Sequence, residues 1–113
     1  MVIQNTDQET KYQETSWNPD HLKAARSGEK NLWYNDLRYA NLTSTNLSEA
    51  NLSEANLREA NLSHANLSHA DLRWADLKRA NLQEANLTDA RLEEAKLSEA
   101  NLTGANLSGT NLI

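Results

Sequence analysis

Leucine recurs at every fifth position of the chain from Leu32 to Leu112, seventeen times without a gap. The residue before each leucine is Asn or Asp, except at Arg91 and Lys96, and alanine stands two residues before most of the leucines. The two positions after each leucine are mostly polar or charged. The hydrophobic pattern therefore has a period of five residues over most of the sequence.

Neither an α-helix nor a flat strand can use this period. Five residues advance about 500° around a helix axis, so each leucine would lie about 140° from the previous one and no apolar stripe would form. In a flat strand, an odd period places successive leucines on opposite faces. The pattern predicts a chain that bends after every five residues, so that each leucine and the alanine two residues before it point to one interior.

The tandem A-(N/D)-L-x-x units from Lys30 to Ile113 resemble the pentapeptide-repeat family. The resemblance implies an all-β solenoid, a right-handed quadrilateral β-helix in which four pentapeptides form one square coil with leucine and alanine inside. Seventeen repeats correspond to about four coils and one further side. The chain is accordingly divided into residues 1–29, an N-terminal tail with a capping helix, and residues 30–113, the β-helix.

The stretch WNPDHLKAARSGEK predicts a short capping helix over about residues 19–27. Asn18 is the expected N-cap, Pro19 fits the first turn, Asp20 suits the positive end of the helix dipole, and Gly28 ends the helix. A cap is expected here because the bare end of a β-helix is an exposed edge that can pair with another chain.

The capping helix is expected to face the first coil through Leu22 and Ala25, with Trp17 as a lid. Trp33 and Tyr34 are expected to pack beneath it. Residues before about Tyr12 are polar and are expected to be disordered.

The C-terminal sequence SGTNLI carries no comparable cap. Two interpretations are open: a frayed terminus, or an end-to-end homodimer that buries Leu112 and Ile113.

Composition narrows the class of protein further. The net charge is −5, which argues against binding to nucleic acid or to an anionic membrane, because both require a basic field. Cysteine is absent, and we find neither a signal peptide nor a membrane span, so a cytoplasmic protein is expected. No catalytic constellation, phosphate loop or cofactor motif is present, and we expect neither enzymatic activity nor a cofactor.

Stacking of coils sorts the outward residues into four faces, named after their leucines: 32, 52, 72, 92 and 112 on the first face; 37, 57, 77 and 97 on the second; 42, 62, 82 and 102 on the third; 47, 67, 87 and 107 on the fourth. Charged and aromatic residues concentrate on the first two faces, and Glu59, Arg79 and Glu99 are expected to form an ion-paired ladder. Tryptophan and arginine are enriched in binding hot spots. The candidate partner surface is Arg38, Arg58, Arg73, Trp74, Lys78 and Arg79; the alternative is that these columns are merely solvated.

Two other features do not indicate a functional site. His64 and His69 are one repeat apart, but no third ligand completes a metal site. The recurring Asn before leucine is expected to hydrogen-bond the local backbone at each bend.

Two functions remain. The first is a non-enzymatic protein-binding or scaffold module with an unidentified protein partner, for which the resemblance implies relatives abundant in cyanobacteria. The second is a DNA-mimicking inhibitor of DNA gyrase or another type II topoisomerase, as some relatives are. The repeat region holds eleven acidic and eight basic residues, a net charge of only −3, which favours the first function.

Overall fold

A computed structural model describes residues 18–112 of the chain. One helix, α1 (Pro19–Arg26), precedes the repeats. The residue before each leucine then forms a single-residue parallel β-bridge with the residue 20 positions later, from Asn31↔Asn51 to Arg91↔Asn111. The bridges place four pentapeptides in each coil and stack successive coils in register. Within residues 18–112, no helix is long and apolar enough to cross a membrane.

Each pentapeptide ends in a β-turn that redirects the chain. In the first repeat, the N–H of Asn35 donates a hydrogen bond of 3.1 Å to the carbonyl of Leu32, and this pattern recurs along the chain. The third residue of every turn has a φ between +58° and +73°, although it is glycine only at Gly104 and Gly109. A positive φ at this position is what a type II turn requires.

Three hydrogen bonds per repeat join each coil to the next; in one of them the N–H of Asp71 donates to the carbonyl of Ala50 (2.9 Å). The N–H of Leu52 donates to the carbonyl of Asp71 (2.8 Å), and the N–H of Glu54 donates to the carbonyl of Arg73 (2.9 Å). The backbone N–H and C=O groups on both edges of each inner coil are hydrogen-bonded in this way. The coils therefore hold together although each extended segment contributes only one bridge residue.

The residue before each leucine closes the bend through its side chain, as expected. Asn51 Oδ1 accepts hydrogen bonds from the N–H of Ser53 (3.0 Å) and from its hydroxyl (2.6 Å). The backbone bond recurs at every described turn that Asn or Asp precedes. Arg91 and Lys96 have no side-chain acceptor, so the N–H of Ser98 cannot form this bond.

Leucine and alanine fill the interior, as the period predicts. The leucines from Leu32 to Leu92 are at most 2% exposed. Burial declines in the last described coil, where Leu107 is 36% and Leu112 is 56% exposed, because within residues 18–112 no further coil covers them. A leucine is therefore fully buried only where a neighbouring coil or helix α1 covers it on both sides.

Helix α1 covers the N-terminal end. Asn18 is its N-cap and accepts hydrogen bonds from the N–H groups of Asp20 and His21, Pro19 occupies the first turn, and Gly28 follows the helix with a φ of +91°. The helix ends at Arg26, one residue earlier than predicted, because Ser27 is its C-cap.

The helix packs on the first coil as expected and also satisfies polar groups of its edge. Ala25 is buried in the core and Leu22 packs against it. His21 Nδ1 accepts a hydrogen bond of 2.8 Å from the N–H of Asp36, and the Arg26 guanidinium donates to the carbonyl of Asn41 (3.0 and 3.2 Å). These backbone groups have no preceding coil to pair with, so the helix removes an exposed edge. The predicted lid Trp17, the rest of the tail and Ile113 lie outside the described residues.

Candidate functional site

The turns determine which side chains are available to a partner. Leucine points inward, and the two residues after it form the outward corner of the turn, where the first is mostly half-buried and the second is mostly exposed. Because residues 20 positions apart lie in register, each outward position builds a column along the solenoid. Neighbours in a column are about 4.8 Å apart, the usual spacing between paired strands.

Two arginines of the candidate partner surface are held by carboxylates in their own repeat. The guanidinium of Arg38 donates two hydrogen bonds to Asp36, of 2.8 and 2.7 Å, and Arg73 does the same to Asp71, at 2.9 and 2.7 Å. The side-chain hydrogen bonds raise the pKa of Arg38 and of Arg73, and the bond from Arg73 lowers the pKa of Asp71. Aspartate two residues before arginine is the sequence signal for this pairing, and it lies within one repeat, so sorting residues by face does not reveal it.

The remaining arginines pair between coils. Arg79 Nε lies 2.8 Å from Glu99 Oε1, and Arg79 Nη1 lies 3.6 Å from Glu59 Oε2, so the expected ladder is confirmed. Arg58 Nε lies 3.8 Å from Asp76 Oδ2. The basic column on the second face is therefore largely compensated by the protein's own carboxylates, and it is not a free cationic surface.

Three aromatic side chains form an exposed cluster on the first face. Trp33, Tyr34 and Trp74 are 51%, 63% and 53% exposed. The rings of Trp33 and Tyr34 meet edge to face, with centroids 5.0 Å apart. The expectation that these two rings pack beneath the capping helix is wrong, since both point into solvent from the outward corner of their turn.

Trp74 and Glu54 each have a fixed polar neighbour. The Arg73 guanidinium lies 5.4 Å from the centroid of the Trp74 ring, a cation–π distance. The indole N–H of Trp33 donates a hydrogen bond of 3.1 Å to Glu54 Oε1, which fixes that carboxylate in the column between Tyr34 and Trp74.

A groove of about 350 Å³ runs along the corner between the first and second faces. One wall is the column of Tyr34, Glu54 and Trp74, and the other contains Asp36 and Asp76. We call this feature the corner groove; it is lined by Tyr34, Asp36, Glu54, Ala55, Asn56, Trp74 and Asp76.

Trp74 is the member of the candidate partner surface that lines the corner groove. The sequence contains the signal for one wall, because residues 34, 54 and 74 are spaced by one coil. Sorting residues by face does not reveal the groove, because the groove lies where two faces meet.

The other candidate features lie apart from the corner groove. His64 is on the third face, and His69 lies 3.7 Å from Asp89 on the fourth. Within residues 18–112, no group of three or more His, Asp or Glu side chains is placed to hold a metal ion. Leu112 belongs to the uncovered C-terminal coil.

The sequence model of the pentapeptide repeats family matches residues 36–73 and 75–112, in eight copies. The chain belongs to the pentapeptide-repeat family. A search of curated protein sequences finds no match to this pentapeptide-repeat protein.

Solved structures of other family members resemble it. The pentapeptide-repeat protein Rfr23 from the cyanobacterium Cyanothece 51142 is 36% identical with a TM-score of 0.57, and the alignment covers 76% of this chain and 59% of Rfr23. HetL from the cyanobacterium Nostoc sp. strain PCC 7120, described as involved in heterocyst differentiation regulation, is 38% identical with a TM-score of 0.40, covering 64% of this chain and 38% of HetL. A protein of the Arabidopsis thaliana thylakoid lumen is 28% identical with a TM-score of 0.46, covering 82% and 70%.

This pentapeptide-repeat protein thus spans less than two thirds of the length of Rfr23 and of HetL.

Proposed function

We propose that this chain is a non-enzymatic protein-binding module, a rigid β-helix that presents side-chain columns to a protein partner. The observation that carries the proposal is the exposed aromatic cluster on the first face. Within residues 18–112, Trp33, Tyr34 and Trp74 are the large apolar side chains exposed outside the last coil. Exposed aromatic residues gathered at one place are typical of interaction sites and of binding hot spots.

The fold supports this role because its core is occupied and its exterior is fixed. Leucine and alanine side chains fill the interior, so a partner meets the outward columns. Each inner repeat is held by three backbone hydrogen bonds to a neighbouring coil, so a bound partner would order little of this chain, and the entropic cost of binding would be small. We also infer a right-handed coil, the sense found for nearly all parallel strands joined by a crossover within one sheet.

The test is to immobilise the wild-type protein and a variant in which Trp33, Tyr34 and Trp74 are changed to serine. The proteins that each retains from a cell lysate are then compared. We expect a protein retained by the wild type to be lost from the variant, and the purified pair to bind at least about tenfold more weakly in calorimetry, about 1.4 kcal/mol. Circular dichroism must first show that the variant keeps its fold, which we expect because all three residues are exposed.

A matched control carries three substitutions on the opposite, third face: His64, Gln83 and Glu84 to alanine. We expect this control to retain the partner as the wild type does. If the aromatic variant binds as tightly as the wild type and the control, the aromatic cluster is not the binding surface and the proposal is wrong.

We also propose that the uncovered C-terminal coil mediates an end-to-end homodimer. Leu107 and Leu112 are exposed there, and within residues 18–112 the backbone N–H groups of Leu97 and Leu102 have no inter-coil acceptor. Burying such an edge against a second copy would satisfy both features. Static light scattering at micromolar concentration should show a dimer that Leu107→Glu dissociates; a monomer for the wild type would contradict this interpretation.

The surface charges give less support to the alternative, a DNA-mimicking inhibitor of DNA gyrase. A DNA mimic needs a continuous anionic surface, whereas Asp36, Asp71 and Glu99 are compensated by arginines of this chain. We expect no inhibition in a gyrase supercoiling assay at tens of micromolar protein. Inhibition there would favour the alternative.

A further inference from the structure

We propose that the corner groove accepts an arginine side chain of the partner protein, an inference that rests on the proposed protein-binding function. The groove places Tyr34, Glu54 and Trp74 in consecutive coils of one column, so that a carboxylate lies between two aromatic rings. With about 4.8 Å between coils, the middle position lies within the roughly 6 Å over which a ring attracts a cation. A cation held by the Glu54 carboxylate would therefore lie one coil from each ring along the solenoid axis.

The carboxylate of Glu54 is fixed and uncompensated. It accepts a hydrogen bond from the indole N–H of Trp33, and within residues 18–112 it pairs with no cation. The opposite wall adds the carboxylates of Asp36 and Asp76, which Arg38 and Arg58 contact from the second face, the latter at 3.8 Å. Since Arg38 and Arg58 compensate Asp36 and Asp76, the net charge of the groove is negative because of Glu54.

This combination of groups selects the chemistry of the occupant. An anion would be repelled, and a purely apolar group would take the carboxylates out of water without a compensating hydrogen bond. A guanidinium has a planar face that stacks on aromatic rings and a row of N–H donors that matches a carboxylate.

The protein itself already shows one such contact with the Trp74 ring. Arg73 lies over Trp74 at 5.4 Å while its N–H groups bind Asp71. An arginine in the corner groove would repeat this arrangement, with Glu54 in the place of Asp71.

The test uses the peptide acetyl-Gly-Ser-Arg-Ser-Gly-amide, titrated against uniformly ¹⁵N-labelled full-length protein. We expect the indole N–H signals of Trp33 and Trp74 to shift in a saturable manner, with a Kd of about 1–10 mM, as befits a single side chain. The same peptide with citrulline in place of arginine keeps the shape and removes the charge, and we expect it to cause no saturable shift.

Two variants locate the effect. We expect Glu54→Gln, which keeps the size of the side chain, to weaken arginine-peptide binding by about fivefold or more. Glu84→Gln removes the same charge from the same turn position on the third face, and we expect it to bind as the wild type does. Chemical shifts of residues away from the substitution report whether each variant is folded.

The outcomes separate this inference from the proposed function. Equal shifts with the arginine and citrulline peptides, equal binding by Glu54→Gln, or equal affinity for a lysine peptide would each overturn the assignment of a guanidinium site. A captured partner that depends on the aromatic cluster but not on Glu54 would leave the proposed function in place and refute the arginine site. Arginine-peptide binding that requires Glu54, with no partner that depends on the aromatic cluster, would support the site and refute the proposed function.

Discussion

Replacing residues at the third position of the turns by glycine should stabilise the protein. Glu49 and Glu84 have φ values of +62° and +60°, and both residues are exposed. A left-handed conformation costs an L-residue about 1–2 kcal/mol, whereas glycine adopts it freely. About 0.5–1 kcal/mol of this gain is lost, because glycine makes the unfolded chain more flexible and so favours unfolding. The expected net gain is about 0.5–1 kcal/mol per site.

The comparison that isolates this effect is glycine against alanine at the same position. Glu49→Ala and Glu84→Ala remove the same charge and the same side chain but keep the backbone strain, so they are the matched controls. The two sites lie in different columns, so their effects should add to about 1–2 kcal/mol in the double glycine variant, raising Tm by about 4 °C or more over the double alanine variant.

The reverse substitution supplies an independent check. Gly104 has a φ of +73°, and a Cβ there would meet the Glu84 carboxylate, which is flexible enough to move aside. Gly104→Ala should therefore lower stability by about 1 kcal/mol, mainly through backbone strain. Urea unfolding followed by circular dichroism measures all of these variants. If the glycine variants are no more stable than their alanine controls, the strain argument is refuted.

Three further predictions concern the core, a charge pair and a bend. Leu62→Ala, in a fully buried position, should lower the free energy of unfolding by about 3–5 kcal/mol, whereas Leu107→Ala should cost the monomer, whose last coil is uncovered, less than about 1 kcal/mol; equal losses in urea unfolding of the monomer would contradict the difference in burial. The pKa of Asp71 is lowered in the folded state, so its stabilising contribution is present above its unfolded pKa of about 3.9 and is lost as pH falls through the folded value. Asp71→Asn should consequently lower Tm at neutral pH and reduce its fall in acid, and parallel pH profiles would refute the coupling. Lys96→Asn should protect the N–H of Ser98 from hydrogen exchange by supplying the acceptor that other repeats have, with a gain of about 0.5–1.5 kcal/mol; unchanged exchange would show that the bond does not form.

Much of the fold was predictable because one short unit repeats in a fixed register. The burial of Leu52 and Ala55, the hydrogen bond from Ser53 to Asn51, and the cap at Asn18 all depend on residues close in sequence. Local chemistry of this kind can be read directly from the order of residues. The spacing of the ladder from Glu59 to Glu99 also follows once the coil is taken as 20 residues.

The candidate site was predicted less well because it depends on contacts between repeats and between faces. Trp74 was identified, but the predicted basic surface is mostly neutralised, since Arg38 and Arg73 turn back to aspartates two residues before them. Trp33 and Tyr34 were assigned to the wrong environment because nothing in their local sequence shows how far the capping helix extends over the first coil.

The sequence by itself determined the period, the residues of the core and the positions of the bends, because each follows from the properties of a five-residue unit. Only the tertiary structure decided which outward side chains meet. The corner groove exists because the chain turns between Tyr34 and Asp36 and returns one coil later at Glu54, which brings two faces together around an aromatic and acidic surface. A repeat specifies its own bend, but the corner where two columns meet is formed only when coils stack, and the arginine site that we propose lies at that corner.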